Sequence, residues 1–335
     1  MSGTEDISIK LLDILKRAED FISGEELSEL LAISRTAIWK RIDLIKKEGF
    51  EIEASTKKGY RLIESKNAYG RIAIQSGITS HIFGENLRFF HEVDSTNNVL
   101  KKLAIDSAPE GTVVVSDIQL AGRGRRGKAW MSAPNLGIWM SVLLRPNLHP
   151  SQVQTLTLAA SVAVAKALEP MEIEGLGIKW PNDILINKKK VCGILTELSA
   201  ETEKVEWVVI GIGLNVNHKK EDFDSEIADI ATSLRLNEKN NAPLRRNEIA
   251  ANIINELGAV YSEFIKKGRA WVVEEWKKYN ITIGKRVNLI SQAGSCEVEV
   301  LDITPEGKLI VRYDDGTTDE VFSGEISLRE ANLTN

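Results

Sequence analysis

The sequence predicts a multidomain α+β protein: three short helices with a hairpin at residues 1–65, a central mixed α/β domain at 70–281 and a small C-terminal β-barrel at 282–335. Two observations lead to this division. A chain of 335 residues is long enough for about two or three domains. Its apolar residues follow helical spacing near the N-terminus, mixed strand and helix patterns in the middle, and short alternating runs at the end.

The first domain is predicted to be a winged helix-turn-helix. Apolar residues from Ile7 to Leu15 recur at helical spacing, and Ser23 and Ser34 are suitable N-caps for the second and third helices. After Gly49, the stretch FEIEASTKKGYRLI alternates as a two-stranded hairpin should. In this order of elements, the third helix enters the major groove of DNA and the hairpin tip touches the backbone.

Charge in this domain is concentrated at residues 34–61, which hold eight Lys or Arg against four Asp or Glu, although the whole chain has a net charge of -5. A local basic face of this kind favours contact with DNA phosphates. An alternative is a small protein-interaction domain with a solvated lysine face. The residues expected to contact DNA are Arg35, Thr36, Lys40, Lys47, Lys57 and Lys58.

The central domain begins after a polar stretch at 64–71, which is predicted to be a linker. The stretch LRFFHEVDSTNNVLKKLAI then predicts a strand that brings Ser95, Thr96 and Asn97 to the start of a helix. Such residues often only cap a helix, so they become candidate site residues through the motifs that follow.

The stretch QLAGRGRRGKAW at 119–130 contains G-x-G-x-x-G after a predicted strand, GTVVVSDIQ. It is not a dinucleotide site, because Pro134 and Gly137 stand where a helix should run. The acidic residue that would grip a ribose is also missing, since no Asp or Glu occurs between Asp117 and Glu169. The Lys-Ser/Thr ending of a P-loop is missing as well.

Three arginines, Arg123, Arg125 and Arg126, fill this loop. Glycines let backbone amides approach a ligand, and guanidinium groups bind carboxylates or phosphates through forked donors. Repulsion among the three charges favours disorder, so the loop is expected to order mainly around a multiply anionic ligand. A flexible basic loop or a nucleic-acid contact is the alternative.

Two further stretches belong to the same site. IKWPNDILINKKKVCGILTEL predicts a strand, a Pro-Asn-Asp turn, a second strand, a basic turn at Lys188 to Lys190 and a strand from Val191. VEWVVIGIGLNVN predicts a buried strand in which Gly211 permits close backbone approach and which ends at Asn215.

Two amphipathic helices and a set of short strands complete the chain. The helices are RNEIAANIINELGAVYSEFIKKG and AWVVEEWKKY, and the strands follow from about Ile283, separated by QAGS, TPEG and DDGTT. The strands predict a small SH3-like barrel.

The composition gives no sign of a disulfide framework, a structural zinc site or a membrane segment. Cys192 and Cys296 are far apart and the histidines lack ligand spacing, so buried thiols and surface histidines are expected. The N-terminus lacks the pattern of a secretory signal and no apolar run approaches the ~18 residues of a membrane span, so a cytoplasmic location is expected.

The motifs DSTN, Q-x-x-GRGRRG, KWPND, the Lys190–Gly193 turn and GIGLNVN, in this order, resemble those of the biotin-protein ligases. With the winged helix, the match is to the bifunctional biotin ligases that also repress the biotin operon, and it extends to GEISLR at 324–329. The resemblance implies a central domain of the biotin/lipoate ligase, class II synthetase-like type. It also implies that biotin and ATP, with Mg²⁺, form biotinyl-5'-adenylate, from which a lysine of a biotin carboxyl carrier domain takes the biotin.

The resemblance assigns these roles to individual residues. Biotin would be bound by Ser95, Thr96, Asn97, Gln119, Gly122, Arg123, Gly124, Arg125, Lys190, Gly193 and Gly211. ATP and the adenylate would be bound by Arg125, Arg126, Asn182, Asp183, Lys190, Asn215 and Arg329, with catalysis by Arg123, Arg125, Lys190 and Asp183. No metal ion is fixed by the protein alone, and Mg²⁺ would enter with ATP near Asp183.

The chemistry agrees with these roles. The carboxylate of biotin is ionised at pH 7, so activation needs no general base but needs two anions brought together. Arg123, Arg125 and Lys190, with Mg²⁺, would screen the carboxylate from the α-phosphate. The second step needs a neutral amine, which Asp183 would orient or deprotonate. Around adenine, Ile227 offers an apolar contact but no aromatic stack is predicted.

The partners implied are a biotin carboxyl carrier protein or domain, operator DNA and, with the adenylate bound as corepressor, a second copy of the chain. If the adenylate and the second copy of the chain both order the arginine loop, they share the entropic cost of ordering it, so binding of one favours binding of the other. The two winged helices of the dimer would then match two half-sites of the operator. Two alternatives remain, a ligand-sensing repressor without ligase activity and a lipoate-type ligase. Arg125, Lys190 and Asp183 disfavour the first, and the GRGRRG and KWPND motifs disfavour the second.

Overall fold

The computed structural model describes residues 6–63, 68–291, 294–322 and 327–330. Its N-terminal part has the predicted order of elements: α1 (Ile7–Arg17), α2 (Gly24–Leu31), α3 (Arg35–Lys47), β1 (Glu51–Ser55) and β2 (Gly59–Ile63). The Ser23 and Ser34 hydroxyls cap α2 and α3 as predicted, accepting backbone N–H groups at 3.0 and 3.2 Å. Strands β1 and β2 pair antiparallel and form the predicted hairpin.

A short helix, α4 (Arg71–Gln75), connects the N-terminal part to the central domain. Two N–H groups of its first turn donate to the carboxylate of Glu48, at 3.1 and 2.9 Å. Of the predicted linker, residues 64–67 lie outside the described residues. From Ala68 onward the chain is not a free linker, because Ala68 and Tyr69 are buried. The end of α3 is thereby fixed to the start of the central domain.

A seven-stranded sheet forms the middle of the central domain, in the order β3-β4-β5-β9-β8-β7-β6. Strands β3 and β4 are parallel and the other neighbours are antiparallel. Helix α5 (Thr96–Ile105) packs on one face, and the remaining helices of the domain pack on the other. The strands are β3 (Leu87–Val93), β4 (Val113–Gln119), β5 (Gly137–Leu144), β6 (Leu176–Lys179), β7 (Asp183–Ile186), β8 (Lys189–Glu201) and β9 (Lys204–Asn215).

Helix α6 (Val153–Leu168) was not predicted, and it lies in the centre of the domain against α7 (Arg246–Lys267) and α8 (Arg269–Tyr279). All of its residues except Lys166 are buried. A helix buried on every side has no polar face, so its sequence shows no helical periodicity to detect. Among the described residues, no helix has both the length and the apolar character needed to cross a membrane.

The predicted basic turn after KWPND is displaced in the structure. The turn residues are Asn187 and Lys188, which have positive φ values of 49° and 66°, and β8 already begins at Lys189. Lys190 is therefore a strand residue and not a turn residue. Positive φ at two successive residues is the geometry of a tight hairpin turn. A run of lysines does not indicate which two residues adopt it.

The C-terminal strands form a five-stranded antiparallel sheet in the order β13-β12-β11-β10-β14. Together with the N-terminal and central parts, they confirm the predicted α+β fold class. The strands are β10 (Arg286–Ser291), β11 (Gly294–Ile303), β12 (Leu309–Arg312), β13 (Thr318–Val321) and β14 (Ser327–Glu330).

Candidate functional site

Polar side chains from three elements meet where β4 ends and α5 begins. The amide oxygen of Gln119 accepts from the backbone N–H of Thr96 at 2.9 Å and from its hydroxyl at 3.1 Å. Gln119 Nε2 donates to Ser132 Oγ at 2.8 Å. On β5, the Ser141 hydroxyl lies 2.7 Å from Thr96 Oγ1 and donates to Asn97 Oδ1 at 2.6 Å. We call Thr96, Asn97, Gln119, Ser132 and Ser141 the polar network.

A half-buried ion pair holds the other side of Asn97. Its Nδ2 donates to Glu197 Oε2 at 2.8 Å, and Glu197 Oε1 pairs with Lys101 Nζ at 2.7 Å. Burial alone would raise the pKa of Glu197, but the hydrogen bonds from Lys101 and Asn97 outweigh it and lower that pKa. Because Glu197 stays ionised, it fixes which way the Asn97 amide points. Sequence reasoning missed Ser132, Ser141 and Glu197, since neither local motif nor spacing marks them.

Gly211 on β9 makes room for the polar network. A Cβ at this position would lie 2.2 Å from Asn97 Oδ1, far inside van der Waals contact. The predicted close approach at Gly211 is therefore to a side chain of the protein, and alanine at this position would displace Asn97.

Charged side chains lie at the adjacent ends of β7 and β8. Lys190 Nζ pairs with Asp183 Oδ1 at 2.6 Å, and Arg125 donates to Asn182 Oδ1 at 3.3 Å. Burial lowers the pKa of Arg125, with Asp183 opposing the shift and Arg126 adding to it, yet a guanidinium remains charged at pH 7. We call Arg125, Asn182, Asp183 and Lys190 the charged cluster.

The polar network and the charged cluster meet on β8. Asn182 Nδ2 donates to the carbonyl of Ile194 at 2.7 Å, and Asn97 Nδ2 donates to the carbonyl of Leu195 at 3.4 Å. One strand therefore holds both groups through neighbouring carbonyls. Gly193 stands opposite Asp183 in the same sheet, at the charged end.

The arginine loop forms a compact turn. Its base is closed by hydrogen bonds from Trp130 N to Gly122 O at 2.9 Å and from Gly124 N to Lys128 O at 2.7 Å. Arg123 donates to the Asn98 amide oxygen on α5, whereas Arg125 reaches the charged cluster and Arg126 is exposed. The expected dependence of this order on an anion stays a prediction.

Trp130, directly after the loop, was missed by sequence reasoning. Its ring lies 5.2 Å from Lys190 Nζ, and a Cβ at Gly213 would lie 2.5 Å from its Nε1. The indole nitrogen is buried and has no hydrogen-bond partner in the described part of the chain. Trp130 thus forms an aromatic wall beside the charged cluster, and its indole N–H is a hydrogen-bond donor without a partner among the described residues.

The segment after β9 lies against Lys190. Lys190 N donates to Ile230 O at 2.7 Å, and Lys190 O accepts from Thr232 N at 2.9 Å. Asn215 Nδ2 donates to Thr232 O at 3.0 Å, which holds the end of β9 to the same segment. Phe223, in this segment, stacks on His218 at 5.2 Å and is therefore engaged within the protein.

The cysteine and histidine expectations are only partly correct. Cys192 is buried and burial raises the pKa of its thiol, but Cys296 is exposed. His218 is buried, not on the surface, and burial lowers its pKa to about 4. Within the described ranges, no group of three or more His, Cys, Asp or Glu side chains is placed to hold a metal ion.

All six residues expected to contact DNA are exposed, on α3 and at the hairpin tip. Two of them have acidic neighbours, since Arg35 pairs with Glu25 and Lys47 with Asp43. Trp39, also on α3, exposes 59% of its surface. Packing in the core of the domain therefore does not explain why a tryptophan stands at this position. Its helical phase puts it beside Thr36 and Lys40, so it joins the basic face.

The remaining predicted site residues are placed as follows. Ser95 is the buried N-cap residue of α5, beside the polar network. A Cβ at Gly122 would meet Ser132 Oγ at 2.8 Å, which puts Gly122 against the polar network too. Arg329 lies on β14 opposite Asn288, and its side chain lies outside what the structure describes.

Family comparisons agree with this arrangement. A model of the biotin/lipoate A/B protein ligase family matches residues 89–215, an HTH domain model matches 8–61, and a model of the biotin protein ligase C-terminal domain matches 282–329.

Whole proteins match over nearly the full length. The chain is 38% identical over 319 residues to the bifunctional ligase/repressor BirA of Bacillus spizizenii, covering 95% of this chain and 97% of the relative. It is 31% identical over 327 residues to that of Escherichia coli, covering 97% and 98%. A structure of biotin protein ligase from Aquifex aeolicus in complex with biotin and ATP is 29% identical, with a TM-score of 0.62 over 73% of this chain and 99% of its own. The chain therefore belongs to the biotin/lipoate protein ligase family, among its bifunctional ligase/repressor members.

Proposed function

We propose that the protein is an ATP-dependent biotin-protein ligase that forms biotinyl-5'-adenylate and transfers biotin to a lysine of a biotin carboxyl carrier protein or domain. The observation that carries this proposal is the junction on β8 of a buried, neutral polar network with a charged cluster. A ligand with an uncharged hydrogen-bonding head and an anionic tail fits such a junction. Biotin has both, and the same tail must meet the phosphates of ATP.

The polar network is proposed to bind the ureido and thiophane rings. Thr96, Asn97 and Gln119 are held by partners within the protein, so their donors and acceptors are fixed before biotin arrives. Ser95, Gly122 and Gly211 line the same end. A site that is built to hydrogen-bond a ureido group discriminates strongly against a ring that lacks it. Lipoate, which has no ureido group, is therefore excluded at this end.

The charged cluster is proposed to bring the biotin carboxylate to the α-phosphate of ATP. Lys190 and Arg125, with Arg123 and Arg126 from the loop, would stabilise the charge that develops as carboxylate oxygen displaces pyrophosphate. Trp130 is proposed as an apolar wall for the nucleotide or the biotin chain.

Magnesium is proposed to enter with ATP and to be held beside Asp183. One carboxylate with the amide oxygens of Asn182 and Asn215 is a donor set of the kind that Mg²⁺ takes alongside phosphates and waters. When bound, the ion would supply charge neutralisation at the phosphates.

The transfer step is proposed to use the same carboxylate. Asp183 would orient the carrier lysine amine or accept its proton, after which the amine nitrogen attacks the adenylate carbonyl and AMP leaves. Lys190 Nζ, 2.6 Å from Asp183 Oδ1, would hold that carboxylate in place until the amine arrives.

Transfer of labelled biotin to a biotin carboxyl carrier domain, with ATP and with lipoate as competitor, tests this proposal. Stable label on the carrier lysine, unaffected by lipoate, is expected. Tight biotin binding without transfer would instead indicate a ligand-sensing repressor, and label displaced by lipoate would indicate a lipoate-type ligase.

A second role is proposed for the N-terminal domain, which would bind operator DNA as a homodimer with biotinyl-5'-adenylate as corepressor. The exposed basic face on α3 and the hairpin tip supports DNA contact, and Trp39 would add an apolar contact to bases or sugars. Lys40→Ala is expected to weaken binding to a selected duplex and to flatten its salt dependence by about one charge. The exposed Lys285→Ala in the C-terminal domain is the matched control.

Domain boundaries after residues 65 and 281 and a cytoplasmic location are part of the same proposal. The location is supported by the use of ATP and of a carrier protein. The boundary near 65 is supported by the hairpin that ends at Ile63, although α4 contacts both α1 and α7.

A further inference from the structure

A turn of the C-terminal domain, residues 304–308, is hydrogen-bonded into the interior of the central domain. The carbonyl of Gly307 accepts from Trp180 Nε1 at 2.9 Å and from Gln154 Nε2 at 2.6 Å. Trp180 and Gln154 expose only 2% and 6% of their surface. Loss of this acceptor would leave two buried donors unpaired, so the contact is costly to break.

Trp180 is held a second time from the same side of the molecule. Its backbone N–H donates to the hydroxyl of Thr282, a buried residue just before the C-terminal strands, at 3.0 Å. Two and three residues further along the chain, Asn182 and Asp183 enter the charged cluster. The turn that carries these two residues therefore starts from a residue that the C-terminal domain holds at its backbone N–H and at its indole N–H.

The hydrogen bond is not a general consequence of burying an indole. Trp139 and Trp276 are also fully buried, but their Nε1 atoms have no hydrogen-bond partner among the described residues. Of the three, Trp180 is the one whose donor is matched by an acceptor, and that acceptor belongs to another domain. These tryptophans provide a matched set for experiment.

The polar network shares β8 with the charged cluster but is otherwise attached at different points of the domain. Its hydrogen bonds run among α5, the strands β4, β5 and β8, and Ser132 after the loop. A disturbance that begins at Gly307 should therefore reach Asn182 and Asp183 before it reaches Thr96 or Gln119.

We propose that Trp180 is a positioning residue through which the C-terminal domain sets the geometry of the charged cluster, and with it the use of ATP. The proposal rests on the proposed ligase function. Trp180 itself need not touch ATP; its indole N–H, held by Gly307, aligns the turn that presents Asn182 and Asp183.

The test compares Trp180→Phe with Trp276→Phe in the full-length protein. Both changes remove an indole from a fully buried site, but only the first removes a hydrogen bond across domains. Single-turnover adenylate formation gives kcat/KM for ATP, and titration without ATP gives the Kd for biotin. We expect Trp180→Phe to lower kcat/KM for ATP by about five-fold or more relative to Trp276→Phe, the size of one hydrogen bond, with the Kd for biotin unchanged within about two-fold.

A second variant approaches the same bond from the C-terminal side. Gly307 has φ of 86°, and a Cβ there would lie 3.0 Å from Leu158 Cδ1, so Gly307→Ala should shift the turn without replacing any residue of the central domain. If Trp180→Phe does not fold, Gly307→Ala tests the proposal in its place. We expect Gly307→Ala also to lower kcat/KM for ATP while the Kd for biotin stays unchanged. Equal effects on ATP use and biotin affinity, or a Trp180→Phe protein that matches Trp276→Phe, would overturn the proposal. A wild-type protein that makes no adenylate would instead refute the ligase function itself.

Discussion

The polar network and the charged cluster differ in burial and in charge, although neighbouring carbonyls of β8 hold both. Thr96, Asn97 and Ser141 expose at most 4% of their surface and are joined by short hydrogen bonds. The side chains of Lys190 and Asp183 expose 34% and 27%, and Arg125 comes from a loop. One end of the site is rigid and neutral, and the other is partly open and charged.

This difference follows from the range of the forces involved. A hydrogen bond to a neutral ring needs correct distance and angle, so its partners must be fixed in advance. Attraction between charges falls off slowly with distance, so arginines on a loop can adjust to ligand and phosphate as the reaction proceeds. We infer that the polar network sets which acid is accepted and that the charged cluster carries the chemistry.

The largest effect is expected from Gly211→Ala, which forces a Cβ onto Asn97 Oδ1. Because the amide must move, biotin affinity should fall by about 100-fold, the scale seen when a polar recognition site is disrupted. Gly213→Ala, two residues along the same strand, presses instead on Trp130 and should impair adenylate formation more than biotin binding. Biotin titration with each variant checks the contrast, and equal losses of biotin affinity would break it.

The next effect is expected from Arg125→Ala at the charged end. Removing a charge-assisted hydrogen bond worth about 2 kcal/mol should speed adenylate dissociation by about 30-fold. The biotin Kd should change little, since Arg125 donates to Asn182 Oδ1 at the charged end of the site. Release of labelled adenylate in a chase experiment measures this, with Arg88→Ala, at an exposed arginine on β3 outside the site, as the comparison. A higher biotin Kd with an unchanged rate of adenylate release would contradict the role assigned to Arg125.

Ser141→Ala should have a smaller effect. Its hydroxyl supports both Thr96 and Asn97 from the middle of the sheet, so its loss should weaken biotin binding by about five- to ten-fold. Ser116→Ala is the control, because Ser116 is equally buried but bonds only the carbonyl of Ile118. Biotin affinity that is equal in the two variants would remove Ser141 from the network.

The smallest expected effect is on stability and depends on pH. The pKa of Glu197 is lowered from 4.5 in the folded protein, so its ion pair with Lys101 stabilises the fold above that value and stops doing so as the carboxylate is protonated in acid. The Tm difference between wild type and Glu197→Gln should be a few degrees at pH 7 and should shrink below about pH 4. A difference that stays constant across this range would mean that the charge of Glu197 does not matter.

Local features of the fold were predictable, and features made by distant contacts were not. Ser23 and Ser34 act within one helical turn, so a short stretch of sequence is enough to identify these caps. Helix α6 has no polar face to reveal its period, and the strand position of Lys190 depends on the backbone of Asn187 and Lys188.

The same holds for the candidate site. Motifs in the sequence predicted four residues of the candidate site, namely Thr96, Gln119, Asp183 and Lys190. Glu197 is 100 residues from its partner Asn97, so no motif joins them before the sheet is assembled. Trp130 follows a motif closely, but only folding puts its ring beside Lys190.

The central claim is that one end of the site selects biotin and the other end reacts it with ATP. The most direct test measures biotin Kd and the single-turnover rate of adenylate formation at saturating biotin for Thr96→Val and Lys190→Gln. We predict that Thr96→Val raises the Kd by about ten-fold or more and leaves the rate within about three-fold, whereas Lys190→Gln lowers the rate by about 100-fold and changes the Kd far less. Two variants with the same proportional losses in both quantities would contradict the division.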